Sequence, residues 1–191
     1  MEDLDAALRA HNESIFEFIA AARSFDLKSW WRPLGLGKWS PAQVAEHLAL
    51  SYEAAWGMLN GHSSGENAPR FLRSLFRTIL LDPVLASGSR AQWIDAPPVC
   101  FPCGIPAHPV VVTERLKEAA QAFEMDAAGI NDRDVIRHPF FGPMTVIEAV
   151  MQQEIHTNFH RRRLLRRMPE GAALAAFDRY EKRAFSACLR A

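Results

Sequence analysis

The stretch WSPAQVAEHLALSYEAAWGMLNG, residues 39–61, predicts a helix and marks both of its ends. Ser40 is a favourable N-cap, Pro41 suits the first helical position, and Gln43 completes a capping box with Ser40. The predicted helix runs to about residue 60, because Gly61 is a typical residue just after a helix.

His47 lies on the mostly apolar face of this helix. At about 100° per residue, it shares that face with Val44, Leu50, Ala54 and Met58, so its ring should point inward. A single inward histidine is more often a hydrogen-bonded core residue than a ligand. His47 therefore indicates a functional site only if other side chains that could bind a metal or a ligand lie close to it.

The rest of the chain predicts an all-α fold. Apolar residues recur with a period near 3.6 in the long segments, and no segment alternates over the length of a strand. Thr145 and Glu148 form a second capping box, and Thr113 is expected to cap the helix that Gly129 ends. We predict a four-helix bundle with one extra short helix and a C-terminal helix, in one domain spanning 1–191. The predicted long helices are 3–22, 41–60, 114–128 and 146–168, and the shorter ones are 69–81 and 172–189.

Two segments are predicted to lack regular structure. Residues 82–109 are rich in proline and should not form regular helix, and residues 130–144 should form a loop. Within that loop, His138 precedes Pro139 and is expected to structure the local backbone. The region 62–110 is interpreted as an insertion in the bundle that resembles a lid.

Composition argues against several classes of partner. Lys+Arg and Asp+Glu both number 22, so no charge excess favours nucleic acid or an anionic membrane. No apolar run reaches the roughly 20 residues of a membrane span, and the acidic N-terminus is unlike a signal peptide. A cytoplasmic location is therefore expected. Cys100 and Cys103 near His108 superficially suggest zinc or redox chemistry, but no second pair of this kind completes such a site.

The segment EIHTNFH, residues 154–160, suggests a metal site. His156 and His160 are four positions apart, so their rings share one helix face, as two ligands of one ion require. The pair is not a zinc-protease motif, because Thr157 stands where that motif has glutamate. Such a pair is often merely solvated or structural. Together with the inward His47, however, one divalent ion would satisfy three imidazoles and keep an open coordination position.

Two segments together resemble a known family. The chain resembles the DinB-like superfamily over about residues 3–168, on the basis of GKWSPAQVAEHLALSYEAAWGML and the downstream HPFFGPMTVIEAVMQQEIHTNFHRRRLL. The HPFFGPMT that opens the second stretch is most like the DUF1569 branch of this superfamily. The resemblance implies a four-helix bundle, often dimeric, with a divalent metal on His47, His156 and His160. Two departures stand out: Arg163 replaces a glutamine found in many relatives, and the insertion at about 62–110 is longer than the family minimum.

The expected function follows from a divalent metal ion that has one open, reactive coordination position. Such an ion suits a metal-dependent hydrolase. It also suits a transferase or isomerase that uses a low-molecular-weight thiol, as characterised relatives do. The alternative is a non-catalytic metal- or ligand-binding bundle that acts through partners. Three histidines suit several metals, with zinc or nickel favoured. No general base shares the histidine faces, since Glu154 and Glu46 point elsewhere. The expected partners are a small-molecule substrate and a second copy of the chain, and the candidate residues around the ligands are His11, Gln152 and Gln153.

Overall fold

The structure is a computed structural model that describes residues 3–62, 68–88, 97–102, 107–131 and 134–168. It confirms the predicted helical bundle. Its α-helices are α1 (Leu4–Arg23), α2 (Leu27–Trp30), α3 (Pro41–Leu59), α4 (Arg70–Phe76), α5 (Asp82–Ser87), α6 (Pro109–Gly129) and α7 (Val146–Leu165). The predicted helix at 172–189 lies outside the described residues.

The four long helices α1, α3, α6 and α7 surround one core. The most extensive contacts join α3 to α6 and α1 to α7, and α1 also packs on α6. The contact between α3 and α7 is much smaller, so these two helices are splayed apart. Core side chains from all four helices are buried, and they include Phe18, Leu48, Tyr52, Phe123 and Leu164. The two helices that carry the candidate ligands are therefore less closely packed against each other than α3 against α6 or α1 against α7.

Both predicted capping boxes are confirmed. Ser40 accepts a hydrogen bond from the backbone N–H of Gln43, whose side chain accepts from the backbone of Ser40. Thr145 and Glu148 make the same reciprocal pair at the start of α7. Each box satisfies two backbone donors that the first helical turn leaves free. The two helices that carry the histidines thus begin at positions fixed by local sequence.

The predicted start of α6 is wrong. The helix begins at Pro109 after His108, which is the N-cap, and not after Thr113. Proline is well tolerated in the first helical turn, where its missing N–H has no partner to lose. Thr113 is buried inside the helix, where its hydroxyl donates to the carbonyl of Pro109 at 2.8 Å and accepts from the Arg23 guanidinium.

The region between α3 and α6 also contains more helix than its prolines indicated. A π-helical segment, Arg77–Leu81, follows α4 and leads directly into α5, which has Pro83 in its first turn. The expectation of no regular helix in 82–109 is therefore wrong for residues 82–87. Arg77 ties this segment to the bundle, because its guanidinium pairs with Glu148 and donates to the carbonyl of Pro143 at 2.6 Å.

The segment before α7 is a β-hairpin and not the predicted loop. Strands β1 (Val135–His138) and β2 (Gly142–Thr145) pair antiparallel, with His138 opposite Gly142. Each strand is too short for an alternating pattern to be visible in the sequence, which explains the missed prediction. The turn needs glycine at position 142, where φ is +75°, a conformation that L side chains rarely adopt.

Among the described residues, none of the helices combines the length and the apolar character that a membrane-spanning segment requires.

Candidate metal centre

Three histidine rings meet in the gap between α3 and α7. His47 projects from α3, and His156 and His160 project from successive turns of α7. The Nε2 atom of His156 lies 3.0 Å from Nε2 of His47 and 3.0 Å from Nε2 of His160. All three side chains are buried. The structure thus brings together the three residues that the sequence singled out, each with the same ring nitrogen at the centre.

Hydrogen bonds among the rings cannot satisfy both of these contacts at once. The Nδ1 atom of His47 lies 2.7 Å from the carbonyl oxygen of Cys100, which can only accept, so Nδ1 carries the proton and Nε2 presents a lone pair. The Nε2 atom of His156 offers one proton or one lone pair in a single direction, so it can bond to only one of its two neighbours. A cation accepts all three lone pairs together.

The spacing fits such an ion. Zinc–nitrogen bonds of about 2.0–2.1 Å in tetrahedral geometry place ligand nitrogens about 3.3 Å apart. The observed 3.0 Å is a few tenths of an ångström shorter, which small rotations of the rings can supply. Among the described residues, these three histidines form a group whose ligand atoms all lie within 4.8 Å of one another. They could therefore hold one metal ion.

The partners behind the rings suit metal ligation. A carbonyl that accepts from the far nitrogen of a ligand histidine fixes its tautomer and the direction of its ring. The Cys100 carbonyl does this for His47, and the Ser51 hydroxyl lies 3.4 Å from Nδ1 of His156. Aromatic rings add a low-dielectric wall: Trp39 lies 4.9 Å from His47 and Phe159 lies 5.1 Å from His160, between ring centroids.

A cavity of about 440 Å³ adjoins the histidine cluster. His47 and His156 form part of its wall. Most of the remaining wall is apolar, and much of it comes from the π-helical segment, α5, the turn at 97–100 and the hairpin. A metal ion between these histidines would therefore be reachable by a small molecule, as a catalytic site requires and a closed structural site does not.

Two of the expected surrounding residues belong to the cavity, and the third lies elsewhere. Gln152 and Gln153 both line it, and the amide of Gln153 donates to the side-chain oxygen of Gln152 at 3.2 Å. His11 is buried against the rings of Tyr52 and Phe123, at 5.3 and 5.6 Å between centroids. Burial lowers the pKa of His11 to about 4.

Among the described residues, Glu154 does not line the cavity, and Cys100 contacts the histidine cluster through its backbone carbonyl. The side chain of Glu154 accepts from Asn158, and burial raises its pKa. Cys100 contributes its carbonyl to His47, whereas Cys103 lies outside the described residues. Arg163 stacks its guanidinium on the Phe159 ring at 5.4 Å, so it supports the aromatic wall behind His160.

Sequence reasoning missed two contributors to the site. The carbonyl of Cys100 orients His47 from 53 positions away, and a backbone group carries no sequence signal. His138 was expected only to structure a loop, yet it lines the cavity. The HPFFGP segment that contains it could have drawn attention, since a histidine beside two aromatic residues suits an apolar pocket.

Comparison with known proteins decides the family. The family model described as the DinB superfamily matches residues 3–164, which include all three histidines. The chain belongs to the DinB superfamily. The match does not distinguish a branch within this superfamily, and neither the curated proteins nor the solved structures gave a match. As a DinB superfamily member, the chain combines the expected helical bundle with three clustered histidines that could hold a metal ion.

Proposed function

We propose that this DinB superfamily protein is a metal-dependent enzyme that joins a low-molecular-weight thiol to an apolar small molecule, or uses the thiol to isomerise it. The observation that carries the proposal is a three-histidine cluster in the wall of an otherwise apolar cavity. Zinc or nickel suits three neutral imidazole ligands.

The residues of the site have different roles in the proposed reaction. His47, His156 and His160 would hold the ion, which lowers the pKa of a bound thiol or water so that a nucleophile is available near pH 7. The Cys100 carbonyl keeps His47 in the tautomer that a ligand needs. Trp39 and Phe159 pack against the rings of His47 and His160, and the apolar wall would bind the body of the substrate.

The cavity wall favours a thiol over water as the nucleophile. Hydrolysis uses a base to remove protons from water and an acid to protonate the leaving group. No aspartate or glutamate lines the cavity within the described part of the chain, where its polar side chains are histidines, glutamines and Ser51. A thiol needs less assistance, because its pKa of about 8.5 is already close to neutral. Hydrolysis remains the second candidate, since the same ion would activate water.

Metal binding is the first experimental step. Protein without a histidine tag is stripped with a chelator and titrated calorimetrically with Zn²⁺ and Ni²⁺, and one ion per chain is expected. His156→Ala should abolish binding, because its Nε2 is central to both short contacts. His62→Ala is the matched control, since His62 is exposed and should leave binding unchanged.

The loaded protein is then assayed with apolar electrophiles and esters, each with and without added thiol. Turnover that requires the thiol supports the proposal, and turnover of esters without thiol identifies a hydrolase. Stoichiometric metal binding with ligand affinity but no turnover identifies the non-catalytic binding bundle. If the wild-type protein binds neither ion, both enzymatic interpretations are refuted.

The proposal includes two features that concern the whole protein. We propose that it acts in the cytoplasm, where low-molecular-weight thiols stay reduced. We also propose a homodimer, because the family resemblance implies one and paired assemblies are the commonest.

A further inference from the structure

His138 is held in the cavity wall by the turn of the hairpin. Its Nδ1 atom accepts hydrogen bonds from the backbone N–H groups of Phe140 and Phe141, at 3.1 and 3.2 Å. Its ring also stacks on Phe141, at 4.6 Å between centroids and 27° between planes. The backbone N–H of Ala68 donates to the carbonyl of Pro139 and fixes the same turn from outside. The imidazole therefore has one position and one orientation.

These contacts decide which nitrogen carries the proton. An Nδ1 atom that accepts from two N–H groups has no proton of its own, so the neutral ring must carry its proton on Nε2. Burial lowers the pKa of His138 to about 4, so the ring stays neutral at physiological pH. Within the described residues, no hydrogen bond is made by Nε2. His138 thus offers the cavity a single N–H donor of fixed direction.

We propose that His138 binds substrate, by donating its Nε2–H to an acceptor oxygen on an otherwise apolar molecule. The inference rests on the proposed function for the identity of the cavity as the substrate site, and it adds the chemical class of the substrate, an apolar carbonyl compound. His47 and His156 reach the cavity from α3 and α7, whereas His138 reaches it from the hairpin. A ligand that fills the cavity would then be held by its apolar body and oriented by one hydrogen bond.

The chemistry of the wall supports this assignment. A neutral imidazole polarises a carbonyl without losing its proton, and it costs no rearrangement because the turn already holds the ring in place. Lysine or arginine at this position would carry a full charge in apolar surroundings, at a far greater cost. A neutral donor is therefore the polar group that suits a cavity with mostly aliphatic and aromatic walls.

Two substitutions separate the donor from the structural role of the ring. His138→Asn keeps an acceptor at the position of Nδ1, so the two backbone N–H groups stay bonded, but it removes the donor at the position of Nε2. His138→Gln places an amide N–H near the position of Nε2. A nitrogen NMR spectrum of the wild-type side chain between pH 5.5 and 8 gives the tautomer directly, and the Nε2–H form is expected.

Benzophenone and diphenylmethane are the binding probes, because they differ only by a carbonyl in place of a methylene. Their dissociation constants are measured on chelator-treated protein, so that no metal can hold the carbonyl oxygen. In His138→Asn, the affinity ratio of benzophenone to diphenylmethane should fall about three- to tenfold, which corresponds to one buried hydrogen bond. The affinity for diphenylmethane should stay within about twofold, and His138→Gln should restore most of the ratio.

The outcomes are distinct from those of the metal titration. An unchanged ratio in His138→Asn, an Nδ1-protonated ring, or no binding of either probe by the wild-type protein would overturn the assignment of His138. A protein that binds no metal but shows the expected ratio would refute the proposed enzyme and leave the carbonyl site intact. A protein that binds metal but shows no change in the ratio would refute only the role of His138.

Discussion

Replacing His11 with leucine should make the protein more resistant to acid. The ring of His11 is fully buried against Tyr52 and Phe123, and neither of its nitrogens has a hydrogen-bond partner among the described residues. Burial disfavours the charged ring and lowers its pKa from 6.5 to about 4. Leucine has a similar volume and does not titrate, so His11→Leu removes the proton linkage while filling the same space.

The sign of the effect follows from proton binding in the two states. Between pH 6.5 and pH 4 the unfolded chain protonates His11 and the folded chain does not, so the unfolded state binds more protons. The stability of the wild-type protein therefore falls as pH drops through this range. With 1.36 kcal/mol for each pKa unit, the loss at pH 5 is about 2 kcal/mol and approaches roughly 3 kcal/mol below pH 4.

At neutral pH the substitution should change stability little. Loss of the ring contacts costs about 0.5–1.5 kcal/mol for each aromatic pair. Removal of two buried nitrogens that have no partner among the described residues stabilises the protein by about 1–3 kcal/mol. These terms roughly cancel, so the pH-dependent part of the difference can be measured separately.

The assay is urea denaturation of both proteins at pH 7 and pH 5, with chelator present so that metal binding does not contribute. The variant should gain about 2 kcal/mol relative to the wild-type protein between the two pH values. In thermal melts this corresponds to roughly 4–8 °C for a chain of this size. His62→Leu, at an exposed position, controls for the loss of one histidine. A stability difference that does not change with pH would refute the argument that burial lowers the pKa of His11.

Three further predictions concern ligation, helix capping and assembly. His160→Ala should weaken Zn²⁺ binding by at least tenfold in calorimetry while the circular dichroism spectrum keeps its helical shape, since one ligand contributes little to the core; an unchanged affinity would exclude His160 as a ligand. Thr145→Ala should lower the free energy of unfolding by about 1 kcal/mol in urea denaturation, because it removes the N-cap of α7; Thr145→Ser, which keeps the hydroxyl, should lose much less. Light scattering at micromolar concentration should give twice the monomer mass of 21.5 kDa, and a monomer would contradict the proposed dimer.

The sequence predicted what short-range chemistry determines. Ser40 with Gln43 and Thr145 with Glu148 fix where α3 and α7 begin, and both helices extend through the histidines. The spacing of His156 and His160 then places both rings on one face without any tertiary information. That α3 and α7 are neighbours did not follow from periodicity, since every pair of amphipathic helices offers an apolar face. The family resemblance provided this neighbour relationship, and the 3.0 Å contacts bear it out.

What the sequence did not predict depends on contacts between distant segments. Prolines indicated a break in helix, but Pro83 and Pro109 both stand in the first turns of helices, where proline is tolerated. The Cys100 carbonyl and the ring of His138 reach the gap between α3 and α7 only because the turn at 97–100 and the hairpin fold over it. A four-helix bundle with evenly packed neighbours would bury its histidines without access. The small contact between α3 and α7 leaves room for a cavity, and the segments that cover the gap supply its apolar wall. The same arrangement therefore gives two of the clustered histidines, His47 and His156, a place in the wall of a mostly apolar cavity.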